Sequence, residues 1–566
     1  MKILGLNAIG YNTSASLIIN GKLKCSIEEE RLSREKRTRK FPIKSINYIL
    51  NKFTLKLEDI DAIAISWNPL INLEKFDKYQ SENHSYIPNI LHSIPNYIIN
   101  LSKENSKDYF LQEIKLKKKN LKIYYVNHHL SHASSFYFSK FKKAAILTLD
   151  AFGEKQSGGF YIGSNNSIRK INDLFFPHSL GAFYSTFTEI CGFKPQSDEW
   201  KLMGASAYGN GKNNKFYESL KKLVKLKPNG QFELDLKYFN HYMFHRPNYF
   251  NQKLLNFLKI SKNNDSELNK KYYDLSFATQ RVFEDILFNA LNALYKNTKT
   301  DNLVFAGGCA LNCLANGKII KKTKFKNIFI PPVPDDSGAG LGAAYFLHNQ
   351  ILKKKKNYVM ESNYLGPSFT NEEVLKKLKK YKLSYKYIKN PSLIGAKLIS
   401  ENKIIGWFQG SLEFGDRALG NRSILADPRR NDIKLRINKI VKYREPFRPF
   451  APAVLDNQVT KFFTEYQESN FMEKTVGIKK NMQKFIPGVV HMDGTARLQT
   501  VKKKNNPKFY KLIEEFYNLT QIPMVINTSL NYKGDPICCG IEDIIKTFYL
   551  SGLDSVIINN YLIEKK

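Results

Sequence analysis

Three of the chain's ten histidines fall within five positions, at His128, His129 and His132. On a helix, positions i and i+4 share one face, so the His128 and His132 imidazoles would point together, as bidentate metal sites require. The competing reading is a His-rich helix start that merely caps a strand. Two carboxylates favour the metal. Asp150 ends the apolar run Ala144-Ala145-Ile146-Leu147-Thr148-Leu149, and Asp336 opens the glycine-rich stretch Asp335-Asp336-Ser337-Gly338-Ala339-Gly340. In open α/β sheets such strand ends line the ligand crevice. Two imidazoles and two carboxylates that leave positions open suit Fe(II), Mn(II) or Zn(II) carrying a phosphate-bearing ligand. Glycine turns lie at Gly153, at Gly307-Gly308 and from Gly338 onward. Glycine also marks plain turns, but three at predicted strand ends point to a nucleotide held by backbone N–H groups.

Arginine is scarce and therefore informative. Of 88 basic residues only 15 are Arg, four of them between Arg31 and Arg39 and eight between Arg417 and Arg497. The guanidinium fork matches carboxylate and phosphate, so the two concentrations suggest two anion sites. In the second, Arg417, Arg422, Lys442, Arg444, Arg448 and Arg497 accompany Asn527-Thr528-Ser529. Lys442-x-Arg444 at strand spacing would send both side chains to one face. The surrounding stretch 444–454 is apolar and proline-stiffened rather than solvated, which favours a small dianion pocket over surface charge.

The 566 residues carry a formal charge of +37, yet 73 of the basic residues are Lys scattered along an Asn- and Ile-rich chain. That pattern is mostly solvated surface, and no aromatic-basic nucleic-acid module accompanies it. No apolar run reaches the ~18 residues of a membrane span. Asn7, Gly10 and Asn12 break the opening apolar stretch, so it reads as a strand rather than a signal peptide. Six cysteines, two of them adjacent, do not make a disulfide scaffold, and Cys309-x-x-x-Cys313 lacks a second ligand pair for zinc. A reduced, cytoplasmic setting is expected.

The elements that must position these groups are of α/β type. Strands are expected at 3–6, 15–19 and 22–27, with a hairpin turn at Asn20-Gly21, and again at 123–126, 144–149 and 303–306. Apolar residues at 275, 279, 282, 283, 286, 287, 290, 291 and 294 predict an amphipathic helix. Residues 210–270 read as an insertion. Lys353-Lys354-Lys355-Lys356 marks a boundary between two unequal lobes, 1–356 and 357–566.

Longer motifs carry a resemblance. His128-His129-Leu130-Ser131-His132-Ala133, Phe176-Pro177-His178-Ser179-Leu180-Gly181, Ala306-Gly307-Gly308-Cys309-Ala310-Leu311-Asn312 and Asp493-Gly494-Thr495-Ala496-Arg497, with stretches 406–410, 417–429 and 444–452, resemble those of the O-carbamoyltransferases that decorate antibiotics and nodulation factors. The resemblance spans nearly the whole chain and is weakest at 40–120 and 210–270. It implies an actin/Hsp70-like ATPase lobe followed by a YrdC-like lobe. It further implies that the YrdC-like lobe makes carbamoyl-adenylate from carbamoyl phosphate and ATP, with Mg serving the ATP. The carbamoyl group would then pass to a hydroxyl of a small-molecule or saccharide acceptor in the first lobe. Carried over by motif, His128, His132, Asp150 and Asp336 would hold the metal, Fe(II) above Mn or Zn, and His132 would serve catalysis too. Gly153, Gly307, Gly308, Asn312, Gly338, Lys442, Arg444 and Ser529 would hold nucleotide. Arg417, Arg422, Arg448, Arg497 and Asn527 would hold carbamoyl phosphate.

Two departures stand out. Tyr11 and Asn12 occupy the place of the family's usual His-Asp pair, and Tyr, with a pKa near 10, is a poorer base than His at neutral pH. They are acceptor-site and catalytic candidates on position alone. Asp416 stands where Pro is common and would lower the positive potential beside Arg417. Two other readings compete: a threonylcarbamoyl-adenosine enzyme acting on tRNA, and a non-catalytic ATP-binding scaffold. Diffuse Lys argues against the first, and the arginine cluster against the second. Nucleic-acid and membrane partners are not expected, and self-association into a homodimer is left open.

Overall fold

The computed structural model describes residues 1–69, 108–211, 214–243, 247–265, 267–445 and 447–565. Pro446 and parts of the 210–270 segment lie outside the described residues. The chain divides into two units: residues 1–26 with 39–360, and residues 27–38 with 361–566.

The first unit holds two sheets of the same design. The first comprises β1 (Lys2–Asn7), β2 (Ser14–Ile19), β3 (Lys22–Glu28), β4 (Ala62–Ile65), β5 (Tyr109–Lys115) and β6 (Asn120–Val126), in spatial order β3-β2-β1-β4-β6-β5. Asn20 and Gly21 both take positive φ (50° and 76°), the turn that matches the twist of the flanking strands. The second sheet uses β7 (Lys143–Leu149), β8 (Gln156–Ser164) and β9 (Ser167–Phe175). After a small hairpin, β10 (Val224–Leu226) with β11 (Phe232–Leu234), it adds β12 (Asn302–Ala306) and β13 (Asn327–Phe329), in order β13-β12-β7-β8-β9. β1 pairs antiparallel with β2 and parallel with β4; β7 pairs antiparallel with β8 and parallel with β12. Three strands in meander followed by parallel ones thus occur twice, the duplicated arrangement of actin/Hsp70-like ATPases.

Leu275, Val282, Phe283, Ile286, Leu287, Leu291 and Leu294 do form one buried face, on a helix that runs further than expected, over Lys270–Thr298. The described part of 210–270 joins that core through Leu220, Leu223, Phe232, Leu234, Phe239 and Leu254. Burying each such side chain contributes about 1.5–3 kcal/mol, which is why the segment folds onto the helix rather than trailing from it.

The second unit is built on one mixed sheet of nine strands. They are β14 (Lys386–Tyr387), β15 (Ile405–Phe408), β16 (Arg422–Ala426), β17 (Ala451–Leu455), β18 (Lys474–Gly477), β19 (Thr495–Val501), β20 (Met524–Ser529), β21 (Ser555–Ile558) and β22 (Tyr561–Glu564). Their order is β14-β22-β21-β15-β16-β20-β17-β19-β18. Trp407 is fully buried in its core and donates its indole N–H to the Gly420 carbonyl at 2.9 Å.

The segment 27–38 belongs to this second unit, and the first arginine concentration explains why. Arg31, 2% exposed, pairs with Glu28 at 3.0 Å and Glu30 at 2.7 Å and donates to the Gly415 carbonyl at 2.7 Å. Arg34 donates to the Ile537 and Pro536 carbonyls (2.8 and 2.9 Å) and lies 3.2 Å from Asp543. The expected anion site at these two arginines is therefore corrected: their guanidinium donors anchor the segment.

Candidate functional site

Glycine brings the four metal candidates together. The helix Asp336–Tyr345 lies so close to its neighbours that a Cβ on Gly340 would meet the Asn7 amide nitrogen at 2.4 Å. One on Gly342 would meet the Ser131 carbonyl oxygen at 1.9 Å. Only glycine permits that approach, which carries Asp336 at the helix start to the short helix His128–Ala133. Asp150 arrives from the end of β7. Its Oδ1 accepts from the Ala151 N–H at 2.7 Å and its Oδ2 from the Gly308 N–H at 3.0 Å.

The resulting cluster is tight. His128 Nε2 and His132 Nε2 are 3.1 Å apart. His128 Nε2 lies 3.8 Å from Asp150 and 3.5 Å from Asp336, and His132 Nε2 lies 3.3 and 3.7 Å from the same carboxylates. One donor atom from each residue falls within 4.8 Å of every other. Two imidazole nitrogens and two carboxylate oxygens converging on one point fit a divalent transition metal. The His128 imidazole is oriented from behind, in the manner of metal-ligating histidines: its Nδ1 faces the Ser66 carbonyl at 3.4 Å. Buried Glu154 accepts the His128 backbone N–H at 2.9 Å and that of Asn68 at 2.7 Å, fixing where the helix begins. The third histidine is not a ligand. His129 is fully buried, with Nδ1 3.0 Å from Thr148 Oγ1 and Nε2 3.2 Å from the Gln156 carbonyl.

Protons compete for this cluster. Burial alone would pull the His132 imidazole down, but hydrogen bonds to Asp150 and Asp336 more than offset it and push it up to about 9. His128 is raised as well, by the same carboxylates against burial and its partner imidazole. A metal binds only the neutral ring, so acid must weaken it. We expect apparent affinity for Mn(II) or Zn(II) to rise with pH up to about 9, by roughly tenfold per unit for each proton displaced. Metal titrations at pH 6, 7 and 8 check this, and a flat profile would contradict the assignment.

Tyr11 and Asn12 stand beside the cluster. The turn takes Gly10 to φ +103°, and a Cβ there would meet Asp336 Oδ2 at 2.9 Å. Asn12, also at positive φ (55°), is 3% exposed, and its Oδ1 is buried without a hydrogen-bond partner among the described residues.

The glycine turns do something other than expected. The amides of Gly153, Gly307, Gly308 and Gly338 donate within the chain, to Gln156 O (2.5 Å), Pro334 O (2.7 Å), Asp150 Oδ2 (3.0 Å) and Asp335 O (2.9 Å). A backbone cradle made of these four N–H groups is therefore corrected. Their lack of a side chain serves packing: a Cβ on Gly153 would strike His129, and one on Gly308 would strike Asp150, each at 2.9 Å. The Asn312 amide is likewise engaged, exchanging hydrogen bonds with Gln280 (2.9 and 3.1 Å) and capping Ala315 (3.0 Å).

In the second unit the sequence candidates separate into two kinds. Arg422 is fully buried; its guanidinium donates to the carbonyls of Gln409 (2.6 Å), Gly410 (3.1 Å), Asn421 (3.1 Å) and Pro367 (3.0 Å) and stacks 3.7 Å over Phe408. The expectation that it holds carbamoyl phosphate is corrected, because the guanidinium is fully buried and its donors are engaged by four carbonyls. Arg422→Ala should cost about 3 kcal/mol or more, since several carbonyls lose their donor at once. Thermal unfolding would show the loss, and saturating phosphate should not restore it.

Lys442 is the other kind. Its ammonium donates to Asn531 Oδ1 (2.7 Å), to the Ser529 hydroxyl (3.4 Å) and to the Ser529 carbonyl. Burial first, and then the nearby Arg444 and Arg448 charges, hold its pKa well below that of an ordinary lysine. Arg444 is held by Asn438 Oδ1 at 2.7 Å and stacks 4.7 Å over Phe450. Arg448 lies 3.1 Å from Glu445. The strand expected at Lys442-x-Arg444 is instead a helical turn, Ile437–Lys442, ended by Tyr443 at φ 47°.

Asn527 and Ser529 share a face of β20, and Asn527 Nδ2 donates to Ala418 O (3.1 Å) and Gln499 Oε1 (2.8 Å) while its buried Oδ1 has no partner among the described residues. Arg497 is held by the Met472 carbonyl at 2.7 Å. Arg417 acts on Asp416, whose carboxylate is kept low, against burial, by Arg37, Arg417, Arg31 and Lys36.

Three contributors escaped sequence reasoning. Glu413 Oε1 accepts the amides of Leu419 and Asn421 (2.8 Å each) and Arg422 (3.2 Å), shaping the loop that carries Arg417. Asn531 ties Lys442 to Ser529. Lys36 loses basicity through desolvation and the neighbouring Arg37 and Arg448, despite Glu30 and Asp416. Its place inside the Arg31–Arg39 stretch was the available signal.

Two family models account for nearly all of the chain. Residues 2–345 match the carbamoyltransferase N-terminus, and residues 396–565 match the carbamoyltransferase C-terminus. The chain belongs to the carbamoyltransferase family. It is a carbamoyltransferase, and its general reaction is the transfer of a carbamoyl group from a donor to a hydroxyl acceptor. Nodulation protein NolNO of Sinorhizobium fredii is 32% identical across 99% of this chain and 80% of its own length. Protein sll1178 of Synechocystis is 34% identical across 100% of this chain and 96% of its own. Among solved structures, a phosphate- and nucleotide-bound HypF covers 62% of this chain and 46% of its own at 14% identity, but at a TM-score of 0.33 that likeness carries no argument. No helix among the described residues is long and apolar enough to cross a membrane.

Proposed function

We propose that this carbamoyltransferase is ATP-dependent and works in two half-reactions, one in each unit, the second unit acting in the YrdC-like role and the first as the carbamoyl-transfer unit. In the second unit, carbamoyl phosphate yields carbamate and phosphate with water, and the carbamate oxygen displaces pyrophosphate from ATP to give carbamoyl-adenylate. The observation that carries the reading is Lys442. A buried lysine flanked by Arg444 and Arg448 is a costly concentration of positive charge, and a bound dianion relieves it. Lys36, Arg417, Arg497 and the free Oδ1 of Asn527 complete the set that would orient carbamoyl phosphate and the ATP phosphates.

In the first unit the acceptor hydroxyl attacks the carbamoyl carbon, the bond from that carbon to the AMP phosphate oxygen breaks, and the hydroxyl proton passes to the departing AMP phosphate or to water. His128, His132, Asp150 and Asp336 would hold a divalent ion, Fe(II), Mn(II) or Zn(II), whose Lewis acidity would stabilise the phosphate charge of the leaving AMP. Asn12 Oδ1, buried and without a partner among the described residues, lies two positions after Gly10, whose turn approaches Asp336, and would accept a hydrogen bond from the hydroxyl and orient its lone pair. Keeping the activated intermediate away from water prevents its hydrolysis.

Incubation with ATP and carbamoyl phosphate but no acceptor, followed by mass spectrometry, tests the first half-reaction. Carbamoyl-adenylate and pyrophosphate are expected; ATP consumed to ADP, or left intact by folded protein, would overturn the reading.

A further inference from the structure

Two backbone carbonyls in the second unit, those of Ala418 and Leu419, set the orientation of two buried carboxamides. Glu413 Oε1 accepts the Leu419, Asn421 and Arg422 amides and so fixes the loop from which both carbonyls project. A carbonyl can only accept. The Leu419 oxygen takes the Tyr364 hydroxyl at 2.9 Å and Gln499 Nε2 at 3.0 Å. That leaves Gln499 Oε1 turned to Asn527, where it accepts from Nδ2 at 2.8 Å. The other Nδ2 hydrogen goes to the Ala418 oxygen at 3.1 Å. Reversing either carboxamide would set oxygen against oxygen, at Leu419 for Gln499 and at Ala418 for Asn527. Both N–H groups of Asn527 are thus spent, and its buried Oδ1 is the atom without a partner among the described residues.

The sheet explains why the two carboxamides meet. Gln499 on β19 and Asn527 on β20 flank β17, where Ala453 pairs with Gln499 and Ala451 with Asn527. Methyl side chains leave room over β17 for the longer amides to reach across. Residues two apart on a strand share a face, so Arg497 stands with Gln499, and Ser529, which accepts from Lys442, stands with Asn527. The Ala418 carbonyl belongs to the residue that follows Arg417. The unpartnered oxygen therefore sits in one framework with the groups that would hold the donor's phosphate.

A buried acceptor with no donor is costly, and a ligand N–H removes the cost. Carbamoyl phosphate carries such an N–H on its carbonyl carbon, where acetyl phosphate carries a methyl group of similar size. Lysine and arginine contacts to the phosphate cannot tell the two apart, because that end is the same in both. A carboxylate at position 527 would also accept from the N–H but would repel the dianion; a carboxamide oxygen accepts without adding charge.

We propose that Gln499 is a positioning residue that turns the Asn527 carboxamide oxygen toward the donor, and that this oxygen selects the donor by the N–H of its carbamoyl group. The inference rests on the reading above that carbamoyl phosphate binds in the second unit.

Isothermal titration of the full-length chain with phosphonoacetamide, acetonylphosphonate and inorganic phosphate supplies the arms. The first two are stable stand-ins for carbamoyl and acetyl phosphate and differ only in an NH2 against a CH3. Wild type should bind phosphonoacetamide about tenfold or more tighter than acetonylphosphonate. Gln499→Met removes the acceptor that holds Asn527, and the preference should fall to about threefold or less while phosphate affinity is kept. Gln499→Glu, whose carboxyl still accepts from Asn527 Nδ2, should keep most of the preference. Wild type binding the pair alike overturns the proposal, and so does a preference that survives Gln499→Met. Equal loss of all three ligands in Gln499→Met would make Gln499 a structural support only, and the proposal falls. Phosphate that fails to bind wild type overturns the dianion site of the parent reading itself, whereas phosphate bound with no preference within the pair overturns this inference alone.

Discussion

A Lys442→Met variant is expected to lose carbamoyl-adenylate formation by about 10²–10³-fold while keeping its fold, because methionine retains the apolar stem and removes only the charge. The electrostatics give a second readout. Burial, Arg444 and Arg448 all disfavour the ammonium, so in the free protein the group holds its proton weakly. A bound dianion reverses the balance, so phosphate or carbamoyl phosphate should raise the Lys442 pKa and bind with proton uptake over whatever pH range the free group loses its proton, which titrations from about pH 7 to 10 locate. Calorimetry in buffers of different ionisation enthalpy measures that uptake. Wild type should show it and Lys442→Met should not. Uptake that persists in the variant would move the dianion away from Lys442.

The second large effect belongs to the other unit. His132→Ala removes one of four converging donors and leaves His128, Asp150 and Asp336. Altering a residue that merely supports a metal ligand costs about 10–100-fold in affinity, and loss of a ligand should exceed the upper figure. Carbamoyl transfer to an acceptor should fall below detection with it. Metal content after dialysis, with competition by a chelator, checks the first effect, and product analysis checks the second. Undiminished metal binding in His132→Ala would sink the proposed centre.

Much of this was readable from the chain because the signals were periodic or sat at strand ends. The i,i+4 histidines needed only a helix, and Asp150 needed only the end of an apolar run; both elements formed where expected. The long helix followed from its apolar stripe. What failed was whatever depended on burial. Arg422 and Arg448 look alike in sequence, yet one is spent on four carbonyls in the core and the other keeps a guanidinium beside Lys442. Residue type cannot say which.

Lys36 went unseen because lysine was discounted as background, although Arg31 and Arg34 anchor its segment in the second unit through buried contacts. A single boundary near residue 356 has no way to express a segment that joins a unit beginning more than three hundred residues later. The glycines misled for a related reason. Sequence shows that a position lacks a side chain, not whether a ligand or another strand fills the space, and here Asp150 and His129 fill it.

The central claim is that activation and transfer occur in different units. Carbamoyl phosphate-dependent exchange of labelled pyrophosphate into ATP, without acceptor, tests it most directly with wild type, Lys442→Met and His132→Ala side by side. The account predicts exchange in wild type and in His132→Ala, and none in Lys442→Met. Exchange lost with His132→Ala but kept with Lys442→Met would contradict it, placing the activation chemistry at the metal cluster instead.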